Sequence, residues 1–182
     1  MMSLFYNKIQ ASTAHRPVRD LLCAEVLGNH QLFPELMATA LSMQDTSHHK
    51  ACWILELVLE KDLDMLRGYL PQFCDSLPAF THDGAIRSVS KICLFCVQRH
   101  MRDGSFLTAR QLQQVTEACF DWLISGAKVA SKAYAMRALY LAGKSKAWIH
   151  PELEVILTRG FPEHSPAYKG AAKEILQKIH KA

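Results

Sequence analysis

The chain has 182 residues, 49% of them hydrophobic and 21% charged, which is enough apolar material for one compact domain or a short repeat array. No stretch reaches the roughly 18 consecutive apolar residues of a bilayer span, and MMSLFYNKIQ lacks the apolar run of an export signal, so the expectation is a cytoplasmic chain without a membrane role. Net charge is +4 but uneven: residues 1–126 hold 11 Lys/Arg against 13 Asp/Glu, and residues 127–182 hold 10 against 4. The basic second part is the compositional sign of an acidic partner.

Taken in order, almost every segment reads as helix, because apolar residues recur at i, i+3, i+4 and i+7 and never alternate for long. Arg16-Pro17 opens a helix that Gly28-Asn29 closes. Pro34 falls in the first turn of the next, and Asp45-Thr46-Ser47 precedes a strong one. Later breaks come at Thr81-His82-Asp83-Gly84, Arg102-Asp103-Gly104-Ser105 and Gly143-Lys144-Ser145, and Ser165-Pro166 reads as an N-cap with a first-turn proline.

One pattern recurs. Ala51, Ile54, Leu55 and Val58 form an apolar stripe, repeated by Val89, Ile92, Cys93 and Cys96, by Ala135, Ala138, Leu139 and Ala142, and by Ala172, Ile175, Leu176 and Ile179. The copies are 38, 46 and 37 residues apart, and each occupies one helix face. Between them lie partner helices, predicted over 30–43, 62–79 (broken near Pro71), 108–125 and 147–160. A repeated helix pair of about 40 residues is the sign of HEAT or armadillo units. The predicted architecture is all-α, a right-handed α-solenoid of about four such pairs. It is read as a single domain over 1–182, with capping helices over 1–28 and repeats over 29–182.

The runs HHKACWILELVLEKDLDML, AIRSVSKICLFC and EACFDWLISGAKVASKAYAMRALYLAGKSKAWIHPELEVIL resemble a family of small bacterial HEAT/armadillo-like proteins over roughly residues 30–180. The resemblance implies the repeat fold and no established activity. Some members carry an adenylosuccinate lyase label, but that enzyme's Ser-Ser-x-Met-Pro-x-Lys-x-Asn loop is missing from this sequence.

Several constellations invite chemistry. Cys93, Cys96 and His100 share a helix face, yet Cys93 and His100 are about 10.5 Å apart along the axis, too far for one tetrahedral ion. A redox pair belongs at a helix N-terminus, and here about ten helical residues precede Cys93. Cys93 and Cys96 occupy slots held elsewhere by leucine, valine, isoleucine or alanine, so all six cysteines (23, 52, 74, 93, 96 and 119) are expected in the core. Adjacent His48 and His49 diverge on a helix and make poor joint ligands, and His150 before Pro151 reads as a cap or packing residue. Trp53, Trp122 and Trp148 are read as seals of inter-repeat packing; the sharper alternative exposes Trp53 or Trp148 for stacking or anchoring. Asp121-Trp122 invites comparison with HEAT-like DNA glycosylases, which use an acid and aromatic side chains against an extruded base.

No catalytic residue, cofactor or metal is assigned. The remaining candidates are cations beside the stripes: Arg87, Lys91, Lys132, Arg137, Lys169 and Lys173. On the second helix of each pair they are expected to form a ladder along one groove. The functional expectation is a non-enzymatic binding or scaffolding module for a protein or peptide. The alternative is nucleic-acid binding through a basic concave face, with glycosylase-like activity as its enzymatic extreme.

Overall fold

The computed structural model describes residues 3–161 and 164–181. Among these residues there are ten α-helices and no strand. The chain forms two compact units, Met1–Ile92 and Cys93–Ala182.

In the first unit, α1 (Leu4–Ala11) starts on Ser3, whose hydroxyl accepts the Tyr6 N–H. Pro17 lies in the first turn of α2 (Arg16–Gly28), where its missing N–H leaves no helical bond unmade. A 3-10 turn over His30–Leu32 leads into α3 (Phe33–Leu41), again with proline in the first turn. The centre of the unit is α4 (His48–Lys61), which packs against both α2 and α3. Its buried residues run almost unbroken from Ala51 to Leu59, as expected of a helix enclosed on most sides.

The predicted 62–79 helix resolves into three short pieces. A 3-10 segment over Leu63–Tyr69 precedes α5 (Leu70–Ser76), and a second 3-10 turn covers Leu77–Ala79. Pro71 and Pro78 each sit at a start, because proline tolerates a first turn and breaks a helix interior. The long α6 (Asp83–Asp103) follows, and the boundary between the two units falls inside it.

The second unit takes the last part of α6 and four further helices. Gly104, at φ 67°, ends α6 in the left-handed region and donates its N–H to the His100 carbonyl. A capping box starts α7 (Ala109–Ile124): Thr108 accepts the Gln111 N–H, and the Gln111 side chain accepts the Thr108 N–H. The central helix is α8 (Val129–Gly143), packed on α7, on α9 (Ile149–Gly160) and on α10 (Pro166–Ile179). Ser165 caps α10 and Pro166 is its first residue, as the sequence suggests.

The four stripes fall on α4, α6, α8 and α10. All residues of the first three are buried. In the fourth, Ala172 and Ile175 are buried while Leu176 and Ile179 remain partly exposed. That difference positions the site described next.

Candidate binding groove

The six cations meet different fates. Glu56, on α4 within the first unit, has a side chain only 3% exposed. Arg87 Nη1 donates to it at 3.1 Å, Ser88 Oγ at 2.6 Å and Lys91 Nζ at 3.1 Å, and Lys91 also reaches Glu60 at 3.0 Å. These contacts hold Lys91 in its charged form more firmly than an isolated lysine, against the opposing effect of burial. Arg87 and Lys91 are therefore engaged within their own unit and tie α6 to α4.

In the second unit, Arg137 and Lys178 both pair with Glu174, at 3.3 and 2.7 Å, and hold its carboxyl below the usual range. Lys132 is buried on the first turns of α8 with its ammonium 5.9 Å from the centre of the Tyr168 ring. Burial lowers its proton affinity. Lys169 lies over the Phe161 ring at 5.9 Å, and Lys173 is exposed. Neither has a carboxylate partner among the described residues.

The cysteines are all free and buried. Burial pushes the Cys74 thiol up to about 12 and raises Cys52 and Cys23 as well, the reverse of what a nucleophile or metal ligand needs. His100 serves the loop after α6, its Nδ1 accepting the Leu107 N–H at 3.2 Å. Among the described residues no group of three His, Cys, Asp or Glu is arranged to hold a metal ion. Titration of the native protein with Ellman's reagent is expected to give no fast-reacting thiol, and six after denaturation. A fast-reacting thiol in the native protein would contradict this burial.

His48 and His49 meet a third imidazole that sequence spacing does not reveal. His82 stacks on His49 with ring centres 4.2 Å apart and meets His48 edge-on at 5.8 Å. Trp53 closes the cluster, 5.0 Å from His49, and donates its indole N–H to the Gly84 carbonyl at 3.2 Å. His48 Nδ1 is buried with no hydrogen-bond partner among the described residues. Burial first, and His82 second, lower the pKa of both His48 and His49. Asp45 opposes the shift of His48 only in part.

For a histidine lowered in the folded state, the unfolded chain binds more protons once the pH falls below about 6.5. Stability is then lost as pH falls from there through the folded pKa, and this pair contributes no slope above it. Thermal melts between about pH 7.5 and 5.5 should show a falling midpoint, and His48→Phe should flatten that slope. An unchanged slope in the variant would remove His48 as a cause.

The other two tryptophans differ in exposure. Trp122 is buried, leaving no face for a base, while its neighbour Asp121 is exposed. Trp148 is 48% exposed and stacks on Phe120 at 5.7 Å.

Two open grooves differ in how their charges are answered. In the first unit a groove of about 360 Å³ runs between α1 and α2, with exposed Leu21 in its lining, and its rim charges Lys8 and Glu25 pair with each other at 2.7 Å. In the second unit a groove of about 560 Å³ is lined by Thr158, Phe161, Lys173, Leu176, Gln177 and His180. It adjoins a shallower depression containing Val155 and Arg159, with Thr158 common to both. Glu154 also lines that depression and shares a hydrogen bond with His180 at 2.7 Å, and neither Lys173 nor Arg159 has an ion-pair partner among the described residues.

No family model, curated protein or solved structure matches this chain. The candidate site therefore rests on geometry. Of the six cations marked in the sequence, Lys173 lines the larger groove and Lys169 lies over its Phe161 ring, and Phe161, Leu176 and Arg159 are residues whose place at a groove sequence reasoning missed. The departure of Leu176 and Ile179 from full burial could not be read from a stripe identical in pattern to the other three.

Proposed function

We propose that the chain is a non-enzymatic binding or scaffolding module of HEAT/armadillo-like helical pairs, related to the small bacterial repeat proteins its sequence resembles. Its partner is a protein or peptide, met by the basic second unit. The observation that supports this most is exposed Lys173 in the lining of an apolar groove, with Lys169 over that groove's Phe161 ring and neither lysine meeting a carboxylate among the described residues, while Arg87, Lys91 and Arg137 are engaged by carboxylates of their own units. A groove of several hundred Å³ with a few directed polar groups has the size of a recognition site. Stacked helices suit such a role because they hold the groove in place before a partner arrives.

Nucleic-acid binding is the second reading, favoured by the same cations. The two part by salt dependence: phosphate contacts release counterions, so affinity for a duplex falls steeply with salt, whereas apolar anchoring does not. Selection of a displayed random-peptide library on the full chain is expected to enrich binders. Fluorescence anisotropy with labelled duplex DNA at two salt concentrations is expected to show no binding. Failure to enrich any peptide, together with salt-steep DNA binding, would overturn the proposal in favour of the second reading.

A further inference from the structure

We infer that the α9–α10 groove takes an acidic, amphipathic segment of another protein, seating an apolar side chain on Phe161 and Leu176 with carboxylates against Lys173, Lys169 and Arg159. The inference rests on the binding-module reading and names the chemistry of its partner. Leu176 belongs to a stripe whose counterparts Leu55, Cys93 and Leu139 are fully buried, but it is only partly covered. Phe161 is likewise partly covered, and Val155, in the adjoining depression, is 42% exposed. Covering such apolar surface is favourable at about 25 cal/mol per Å², and a partner that leaves it wet forfeits that gain.

Charge decides the rest of the partner's character. The carboxylates of Glu154 and Glu174, on the two helices that frame the groove, already have partners: Glu154 a hydrogen bond with His180, and Glu174 ion pairs with Arg137 and Lys178. Lys173 and Arg159 are exposed, Lys169 is partly exposed, and none of the three has a carboxylate partner among the described residues. A basic partner would meet repulsion here, and a neutral one would leave the cations unmatched. Phe161 is the one Phe, Tyr or Trp ring in the groove lining and Lys169 lies over it, so a nucleic acid finds no row of aromatic platforms for successive bases. A segment with leucine, isoleucine or phenylalanine anchors and flanking Asp or Glu answers both features at once.

The test uses the full chain as bait for a displayed random-peptide library, then measures fluorescein-labelled synthetic copies of the enriched peptides by anisotropy. The expected peptides carry Asp or Glu around one or two large apolar residues. Lys173→Glu should weaken each at least about tenfold without lowering the melting temperature, since Lys173 is exposed, and Leu176→Ala should weaken them too. If wild-type protein enriches no peptide, the binding-module reading itself fails. If peptides are enriched but are not acidic, or Lys173→Glu changes affinity by less than about twofold, the groove assignment fails while the reading stands. Concentration-dependent self-association that Lys173→Glu abolishes, or salt-steep DNA binding that it abolishes, would assign the groove to a second copy or to nucleic acid and overturn the inference.

Discussion

Replacing Glu56 with alanine is expected to lower the unfolding free energy by about 3 kcal/mol, the low end of the cost of breaking a buried ion pair. The carboxylate is the common acceptor for three donors on α6, and truncating it strands them unequally. Ser88 is fully buried and loses the carboxylate it donates to, so its hydroxyl bears the cost of an unmade bond, about 1–3 kcal/mol. Lys91, with a side chain 18% exposed, keeps Glu60 but loses one of two carboxylates. Arg87 is 41% exposed and turns to solvent at little cost, which keeps the expectation at the low end.

Urea unfolding followed by circular dichroism would show a lower midpoint at unchanged slope. Glu56→Gln, which keeps the shape and loses the charge, should fall between wild type and Glu56→Ala. A triple replacement, Glu56→Leu with Ser88→Ala and Lys91→Met, should recover much of the loss, because an apolar set of similar volume owes nothing to desolvation. If Glu56→Ala moved the midpoint by no more than an ordinary surface substitution, the network would not be a stabilising tie between α4 and α6.

The same network shows where sequence legibility ends. The stripe on α4 could be read because helical periodicity is a local property: Ala51, Ile54, Leu55 and Val58 mark a buried face whatever packs against it. The break near Pro71 was legible for the same reason, since proline's lost donor acts on its own turn. Glu56 interrupts that series and invites the reading of a solvated residue. Only folding brings Ser88 and Lys91 to it from more than 30 residues away. The ladder of six cations was a statement about which side of its own helix each residue occupies. Whether a carboxylate waits opposite is set by the neighbouring helix, and that information is non-local. Arg87, Lys91 and Arg137 met carboxylates, Lys132 and Lys169 met aromatic rings, and Lys173 was left lining a groove. The three-histidine cluster was half legible: His48 and His49 diverge along their helix as expected, but His82 arrives from the loop before α6 to stack on one and abut the other.

Gly143→Ala is expected to destabilise the second unit by about 1–3 kcal/mol, although it places the best helix former at the end of a helix. On propensity alone the change should help by up to about 1 kcal/mol, as glycine is the poorer residue in a helix. Gly143 is buried, however, and a Cβ there would overlap the His150 ring at Cδ2, Nε2 and Cγ. That ring is not a free end that can swing aside. It stacks on Tyr140 with centres 5.3 Å apart, and its Nε2 lies 2.8 Å from the Tyr140 carbonyl oxygen, so yielding to a methyl group means losing both contacts. Overpacking therefore outweighs propensity.

A double-mutant cycle separates the two effects. His150→Ala removes the obstacle at the cost of the ring's stacking and hydrogen bond. In that background Gly143→Ala should reverse sign and stabilise, because only the propensity remains. Thermal or urea melts of the wild type, both single variants and the double variant supply the four numbers. A Gly143→Ala change that stabilises equally in both backgrounds would show that the ring does not press on this glycine, and that α8 meets the start of α9 less closely than the structure places it.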